Sequence, residues 1–188
     1  MCDPSMTHAM DRFQAARSTT ITIRNWAELV QNSADLQSLY TDIPPLTGLT
    51  VRSIHLNHFG PCLTLRIDLP EFPQNPPPSW VDAELDQFQF HLEFIAIENL
   101  ELSGWLPDGR ASLELDRHNH NKIFARMESD GFHLSFAASD SILVGHMSAY
   151  KALPNGSDSG PRQFVRKLDA KKYDVIPPVY EKTFYEHI

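Results

Sequence analysis

The sequence contains very little cysteine and no long apolar run. Cys2 and Cys62 are its two cysteines among 188 residues, which is too few for a disulfide framework and typical of a reducing compartment. No stretch approaches the roughly eighteen apolar residues of a membrane-spanning helix. The beginning of the sequence also lacks the basic and apolar segments of a secretory signal. We therefore expect a cytoplasmic protein that makes no contact with a membrane.

Common catalytic and cofactor-binding motifs are missing as well. The sequence contains none of the patterns GxGxxG, GxxxxGK[ST], GxSxG, HExxH or CxxC. These patterns build dinucleotide and phosphate loops, hydrolase nucleophiles and zinc sites. We therefore predict a protein without a cofactor, without a bound metal and without enzymatic activity.

The best candidate for a metal site is a turn that is rich in histidine and asparagine. His118 and His120 could face a metal from the end of a strand, together with His133 or Asp116. A third ligand at a diagnostic spacing is lacking, and turns of this composition are commonly solvated. The prediction for this turn is therefore a solvated surface rather than a metal site.

A second polar group suggests an acid–base centre. His55 and His58 flank a turn, and Asp68 follows on the next predicted strand. Such residues are able to transfer protons in catalysis, but nothing in the sequence builds a substrate pocket around them. An enzyme built on these three residues is one alternative interpretation, and polar strand ends are the simpler one.

Lysine and arginine are scarce in most of the chain. The whole sequence has 16 basic and 24 acidic residues, a net charge of −8. Residues 1–150 contain 9 basic and 19 acidic residues, whereas residues 151–188 contain 7 and 5. An acidic body repels nucleic acid and attracts basic proteins. We therefore expect no nucleic acid partner, although solubility alone also explains an acidic surface.

One helix is predicted near the beginning of the chain. Asn25 and Glu28 have the spacing of a capping box, and apolar residues that begin at Trp26 follow at helical spacing. Two prolines, Pro44 and Pro45, exclude a longer helix. The pattern predicts a helix over residues 26–40.

From Leu49 onward the apolar period changes to two, which is typical of half-buried strands. Short joins make neighbouring strands antiparallel, and Asp130-Gly131 predicts a tight hairpin. The predicted strands are residues 49–57, 62–69, 86–98, 100–105, 111–117, 121–128, 132–138 and 141–150. The predicted fold is α+β, with one N-terminal helix packed on a mainly antiparallel sheet or sandwich of seven to eight strands.

The predicted domain organisation has three parts. Residues 1–24 form a flexible leader, and residues 25–150 form a single α+β domain. Residues 151–188 form a linker and an extension that is rich in basic and aromatic residues. The extension either docks on the body through Phe164, Tyr180 and Phe184 or remains largely mobile.

Five prolines lie between Pro70 and Pro78, a stretch that we name the proline segment. Proline lacks an amide donor and fixes φ, so neither a strand nor a helix continues through this segment. It either protects a sheet edge or presents a rigid surface to a partner. For the second role, the predicted partner-binding residues are one aromatic anchor and four carboxylates: Trp80, Glu71, Asp82, Glu84 and Asp86. The competing possibility is that the tryptophan folds back into the core.

The order of several segments resembles a known family. These segments are "NWAELV", "LQSLYTDIPPLTGLTVRSIHLNHFGPCLTLRIDLPEFPQNPPPSW", "QFQFHLEF", "LELSGW" and "ILVGHMSAY". Over residues 25–150 the chain resembles the immunity protein 50 family of bacterial polymorphic toxin systems. The resemblance implies a cytoplasmic, non-catalytic protein that binds and neutralises a cognate toxin domain.

A different class of function is consistent with the same residues. A β-sandwich that binds a glycan or another small molecule, with Trp80 and Trp105 as stacking platforms, is the main alternative to an immunity protein. Titration against candidate ligands distinguishes the two. A neighbouring gene for a large secreted protein with a C-terminal toxin domain favours the immunity protein.

Overall fold

The computed structural model describes residues 21–106, 109–119 and 121–177. The elements in these ranges are β1 (Ile21–Thr22), a 3-10 helix (Trp26–Leu29), α1 (Ala34–Leu39), β2 (Leu49–Asn57), β3 (Cys62–Leu69), α2 (Pro78–Asp82), β4 (Gln87–Ile95), β5 (Glu98–Gly104), β6 (Arg110–Asn119), β7 (Lys122–Ser129), β8 (Phe132–Ser139), β9 (Ile142–Tyr150), β10 (Arg162–Phe164) and α3 (Lys167–Lys172). In these ranges none of the helices is both long and apolar enough to cross a membrane.

The strands form an antiparallel sheet in two halves. Their order is β10-β9-β4-β3-β2-β6-β7-β8-β5, and β1 pairs with β6. Strands β2 and β6 are joined by two residue pairs, Leu49–Ala111 and Thr50–Arg110, whereas β3 and β4 are joined by eight. We name β2, β3, β4, β9 and β10 the first half-sheet and the remaining strands the second half-sheet.

A single apolar core contains residues of both half-sheets and of the N-terminal helices. Phe94 of β4 and Phe136 of β8 meet edge to face, with 5.1 Å between their ring centroids. All the residues that the apolar pattern assigns to the core are buried: Trp26, Leu29, Leu36, Leu65, Ile67, Phe88, Phe90, Leu92, Leu113, Leu134 and Phe136. The faces of the strands were therefore predictable from the period of two.

The broad fold class, an α+β protein with a mainly antiparallel sheet, is confirmed. The details differ, because the described chain has ten strands rather than seven or eight, and its helices are short. Strands β2 and β3 match their predicted ranges residue for residue. The Asp-Gly hairpin is also present, since Ser129 pairs with Phe132 around Gly131, which has φ 72°.

The prediction of one continuous helix over residues 26–40 is wrong. Val30 is extended and forms a parallel bridge with Ile142 of β9. The side chain of Asn32 then donates to the carbonyl of Val144 at 2.6 Å and accepts its N–H at 2.9 Å. The chain leaves the helical conformation here because these groups complete the hydrogen bonding of the β9 edge.

The capping box at the predicted start of the helix does not form. The Asn25 side chain donates to the Glu28 carboxylate at 3.1 Å and makes no hydrogen bond to the helix backbone. The predicted packing of the apolar residues on the sheet is present. The Trp26 ring stacks on Phe90, with 5.9 Å between centroids and 2° between planes. The N-terminal helices therefore cover the inner face of the first half-sheet.

The prediction of one long strand over residues 86–98 is also wrong. Strand β4 ends at Ile95, and Ala96 has φ 55°, a left-handed conformation that ends the strand. The next strand, β5, belongs to the second half-sheet. The residues predicted as one strand therefore belong to two strands, which are joined by a turn between the half-sheets.

The proline segment does not protect a sheet edge at β3, since this strand has β2 and β4 on its two sides. The segment packs instead against the end of α1. The Asn75 N–H donates to the carbonyl of Leu39 at 3.0 Å, and the Tyr40 hydroxyl donates to the carbonyl of Glu71 at 2.8 Å. The prolines fix an extended connection that closes this end of the core.

Residues 151–177 pack on the body. Strand β10 pairs with β9, with Phe164 opposite Ser148, and α3 follows it. Phe164 is buried, in agreement with the docked form of the extension. Tyr180 and Phe184 lie outside the described residues.

Candidate protein-binding surface

Two long stretches of the chain, residues 25–51 and 67–106, contain no lysine or arginine. They carry eleven acidic residues. These stretches include the 3-10 helix, α1, the proline segment, α2, β4 and β5. Eight of the eleven carboxylates are exposed, and two of these, Asp86 and Glu98, pair with Lys151 and Lys122. The exposed charged residues of these stretches are therefore all acidic, and an acidic surface favours the approach of a basic macromolecule.

Trp80 is corrected from a partner anchor to a core residue. Its side chain is 1% exposed. The ring lies 6.1 Å from Phe72 and 6.2 Å from Phe88, measured between centroids. The ring folds inward because the proline segment and β4 together supply an apolar site for it, and burial of an indole in such a site is strongly favourable.

The four predicted carboxylates are exposed and lie close together in the chain, within residues 71–86. Glu71, Asp82 and Glu84 lie on the proline segment and around α2, and we name these three residues the acidic end. Asp86 is different, because its carboxylate accepts the Ala152 N–H at 2.9 Å and pairs with Lys151 at 3.3 Å. Asp86 thus holds the chain that follows β9.

The outer face of the first half-sheet carries a buried polar network. The Asp68 carboxylate accepts hydrogen bonds from Arg52 at 2.8 Å, Gln89 at 2.6 Å and the Tyr150 hydroxyl at 2.8 Å. Burial, followed by the charge of Asp68, raises the pKa of Tyr150 above its ordinary range. All three groups that donate to Asp68 lie on strands of the first half-sheet. Their hydrogen bonds compensate the carboxylate for the loss of water on burial.

Asp158 completes this network from the loop that follows β9. Its carboxylate accepts hydrogen bonds from Arg66 at 2.9 Å and Gln89 at 3.0 Å, and Arg162 approaches it at 3.8 Å. Burial alone would raise the pKa of Asp158, but the Gln89 hydrogen bond and the arginine charges lower it below its ordinary value. The loop therefore supplies the negative charge that the sheet arginines require.

A histidine pair lies beside the network. His91 and His146 are both buried, with 5.1 Å between their rings. Burial lowers the pKa of His91, and the charges of His146, Arg66 and Arg162 lower it further, to about 3. His91 is therefore neutral at physiological pH and acts as a packed polar group of the sheet.

The proposed acid–base group is not brought together. In the β2–β3 hairpin, His55 pairs with Thr64 and Thr50 pairs with Asp68. Four residues of strand thus separate the two positions, about 13 Å at the usual rise. The His58 ring contacts Phe59 instead, with 3.8 Å between centroids. An enzyme built on these residues is not supported by this geometry.

The histidine-rich turn is partly outside the described residues, which do not include His120. His133 lies 3.0 Å from the Ser135 hydroxyl and faces Glu101 and Glu128 at 3.8 and 3.6 Å. In the described ranges no three His, Cys, Asp or Glu side chains are placed to hold a metal ion.

Strand β5 presents the second exposed surface. All seven of its residues are exposed, and Trp105, which follows it, is 79% exposed. Trp80 and Trp105 thus differ completely in exposure, and the pair of stacking platforms expected for a glycan-binding protein is absent. The exposed aromatic side chain of the acidic stretch is Trp105.

A comparison with protein families places these surfaces in context. The family model described as Immunity protein 50 matches residues 32–147, which is more than half of the chain. The chain belongs to the immunity protein 50 family. The match confirms the family that the sequence resembles and ends within β9, so that β10 and α3 lie beyond it. No curated protein and no solved structure matches the chain.

Several residues of these surfaces were not predictable from the sequence. Gln89 and His91 lie on the polar side of an alternating strand, a position typical of solvent exposure, and the cover that buries them comes from residues 151–177. The sequence feature that indicated a binding surface around β5 was the absence of lysine and arginine from residues 67–106. That absence indicates the sign of a partner's charge but not the strand it contacts.

Proposed function

We propose that this protein is an immunity protein that binds a cognate toxin domain and neutralises it without catalysis. The observation that carries the proposal is membership of the immunity protein 50 family. The acidic surface supports it, because a protein that acts by binding requires an accessible complementary surface rather than an assembled reaction centre.

The acidic end is the part of this surface that we propose attracts the toxin. Glu71, Asp82 and Glu84 are exposed, and no basic residue occurs in the stretch that carries them. Exposed charges act mainly on the rate of association, since they steer a basic partner before contact. The toxin domain is therefore expected to present a basic surface.

A C-terminal toxin domain encoded by a neighbouring gene, where the genome contains one, is the partner for the direct test. Co-expression of this chain should restore growth to bacteria that produce the active toxin, and an inactivated toxin domain should bind the purified chain at a defined stoichiometry in calorimetry. Absence of both rescue and binding would contradict the proposed function.

The role of the acidic end has its own test. Asp82→Lys and Glu84→Lys should each slow association and flatten its dependence on salt. The matched control is Asp174→Lys, which makes the same charge change at an exposed residue outside the acidic end. Equal effects of all three variants would show that net charge matters and that the acidic end has no special role.

A further inference from the structure

Strand β5 is at one end of the strand order and pairs with β8 on one side. In an antiparallel pair, alternate residues direct their N–H and C=O groups to one neighbour and the rest point the other way. On the side away from β8, no described strand pairs with β5. The strand therefore presents backbone donors and acceptors that a further strand can use.

Several other edges of the sheet are occupied by the chain itself, and the opposite end strand, β10, is three residues long. The first part of β9 is bridged by residues 30–32, through the Gln31 N–H to Ile142 at 3.0 Å and the two Asn32 hydrogen bonds. The last part of β9 pairs with β10, and β6 pairs with β1. Strand β2 is bulged between Val51 and Ser53, which disfavours pairing with another chain. Strand β5 has an irregularity of its own between Glu98 and Glu101, where Asn99 has φ 51°. The four residues that follow, 101–104, pair with β8 in regular register and form an open edge.

The open edge carries apolar side chains. Leu100 and Leu102 are 36% and 47% exposed, and Trp105 is 79% exposed. Gly104 has φ 77°, and a Cβ at this position would collide with the carbonyl oxygen of Gly131. The glycine thus allows β5 to approach the β7–β8 turn closely and sets the direction in which the chain carries Trp105 outward.

The charges beside this edge are mainly negative. Glu98 and Glu101 are the charged residues of β5, and Glu128 and Asp130 are exposed near the end of β7. Lys122 pairs with Glu98 at 2.5 Å. A second copy of this chain is a poor occupant, because antiparallel self-pairing of β5 about its central residue would place the two Glu101 carboxylates opposite each other.

We propose that β5 is the docking edge for a basic, amphipathic edge strand of the toxin domain. This inference rests on the proposed function. Main-chain hydrogen bonds extend the second half-sheet by one strand, apolar residues of the toxin strand contact Leu100 and Leu102, and its basic residues face Glu101. Trp105 is the aromatic anchor of the interface, the role first assigned to Trp80. The acidic end attracts the toxin, and β5 retains it.

Binding kinetics with the inactivated toxin domain test this assignment. Leu102→Lys places a positive charge on the open edge, and Trp105→Ala removes the anchor. Each should raise the dissociation rate by about tenfold or more. Two matched controls have similar exposure elsewhere: Leu143→Lys on β9, which is 37% exposed, and Phe59→Ala on the β2–β3 hairpin, which is 79% exposed. The controls should leave the dissociation rate within about twofold of the wild type.

The outcomes are distinguishable from those of the proposed function. If the wild type binds and both β5 variants dissociate at the wild-type rate, the docking edge is elsewhere and the proposed function stands. If the wild type does not bind, both proposals fail. Sedimentation of the free protein tests the other occupant, since a dimer that Leu102→Lys converts to monomer would assign the edge to a second copy and overturn the proposal.

Discussion

Strands β4 and β5 follow each other in the chain, yet no residue of β4 is exposed and every residue of β5 is. The two strands are separated by a turn at Ala96. Strand β4 has neighbours on both sides, the aromatic core on one face and residues 151–177 on the other. Strand β5 has one neighbour.

This difference shows that exposure is decided by distant parts of the chain. The Trp80 ring packs on Phe88, near the start of β4, because the proline segment directs the chain back to the core. Asp158 contacts the outer face through Gln89, from 69 residues further along the chain. We infer that these covers stabilise the fold, whereas the strand left without them binds the partner. The predictions below test the two halves of this comparison.

The largest expected effect is on the inner cover of β4. Trp80→Ala removes a fully buried indole and leaves a cavity, which should lower the free energy of unfolding by about 3–5 kcal/mol. Urea denaturation of the wild type and the variant measures this directly. A loss below about 1 kcal/mol would show that Trp80 does not contribute to the core as its burial indicates.

The second effect is a pH dependence on the outer face. Because the pKa of folded His91 is about 3, the unfolded chain binds a proton below about pH 6.5 that the folded chain rejects. The free energy of unfolding should therefore decrease as the pH is lowered from about 6.5 to 3. The contribution of this group is up to about 1.4 kcal/mol per pH unit. His91→Gln should flatten that fall, and His58→Gln, on the exposed hairpin, is the control. Equal flattening by both variants contradicts the assignment to His91.

The third effect concerns the loop that covers the same face. Asp158→Asn removes the charge that Arg66 and Arg162 face, and we expect about 2 kcal/mol less stability at neutral pH. The pKa of Asp158 is lowered in the folded state, so its contribution is present above the ordinary aspartate pKa and is lost as the pH falls through the lowered value. The difference between variant and wild type should therefore shrink in acid. A constant difference down to pH 2 would exclude an ionic role.

The smallest effect on stability is expected at β5. Leu102→Lys and Trp105→Ala change side chains that are already exposed, so the free energy of unfolding should change by less than about 0.5 kcal/mol. The same variants are expected to change binding strongly. Thermal denaturation of each variant, measured together with its binding kinetics, compares the effect on stability with the effect on binding. A loss of several degrees in melting temperature would mean that the strand is part of the stabilising core.

The sequence predicted the inward faces of the strands well, because the period of two is a local property. It predicted one helix where the structure has two short ones, because the β9 edge that Val30 and Asn32 complete is more than 100 residues away. Trp80 failed as an anchor for a similar reason. Its neighbours Pro76, Pro77 and Pro78 indicated rigidity, but burial depended on Phe72 and Phe88. The carboxylates of the acidic end remain a prediction.

Hydrogen exchange of the backbone amides tests the central comparison most directly. It should be measured for the free protein and for its saturated complex with the inactivated toxin domain. We predict that the β4 amides exchange slowly in both states, and that the outward amides of β5 exchange rapidly in the free protein and at least about tenfold more slowly in the complex. Unchanged exchange of β5 in the saturated complex would contradict the account.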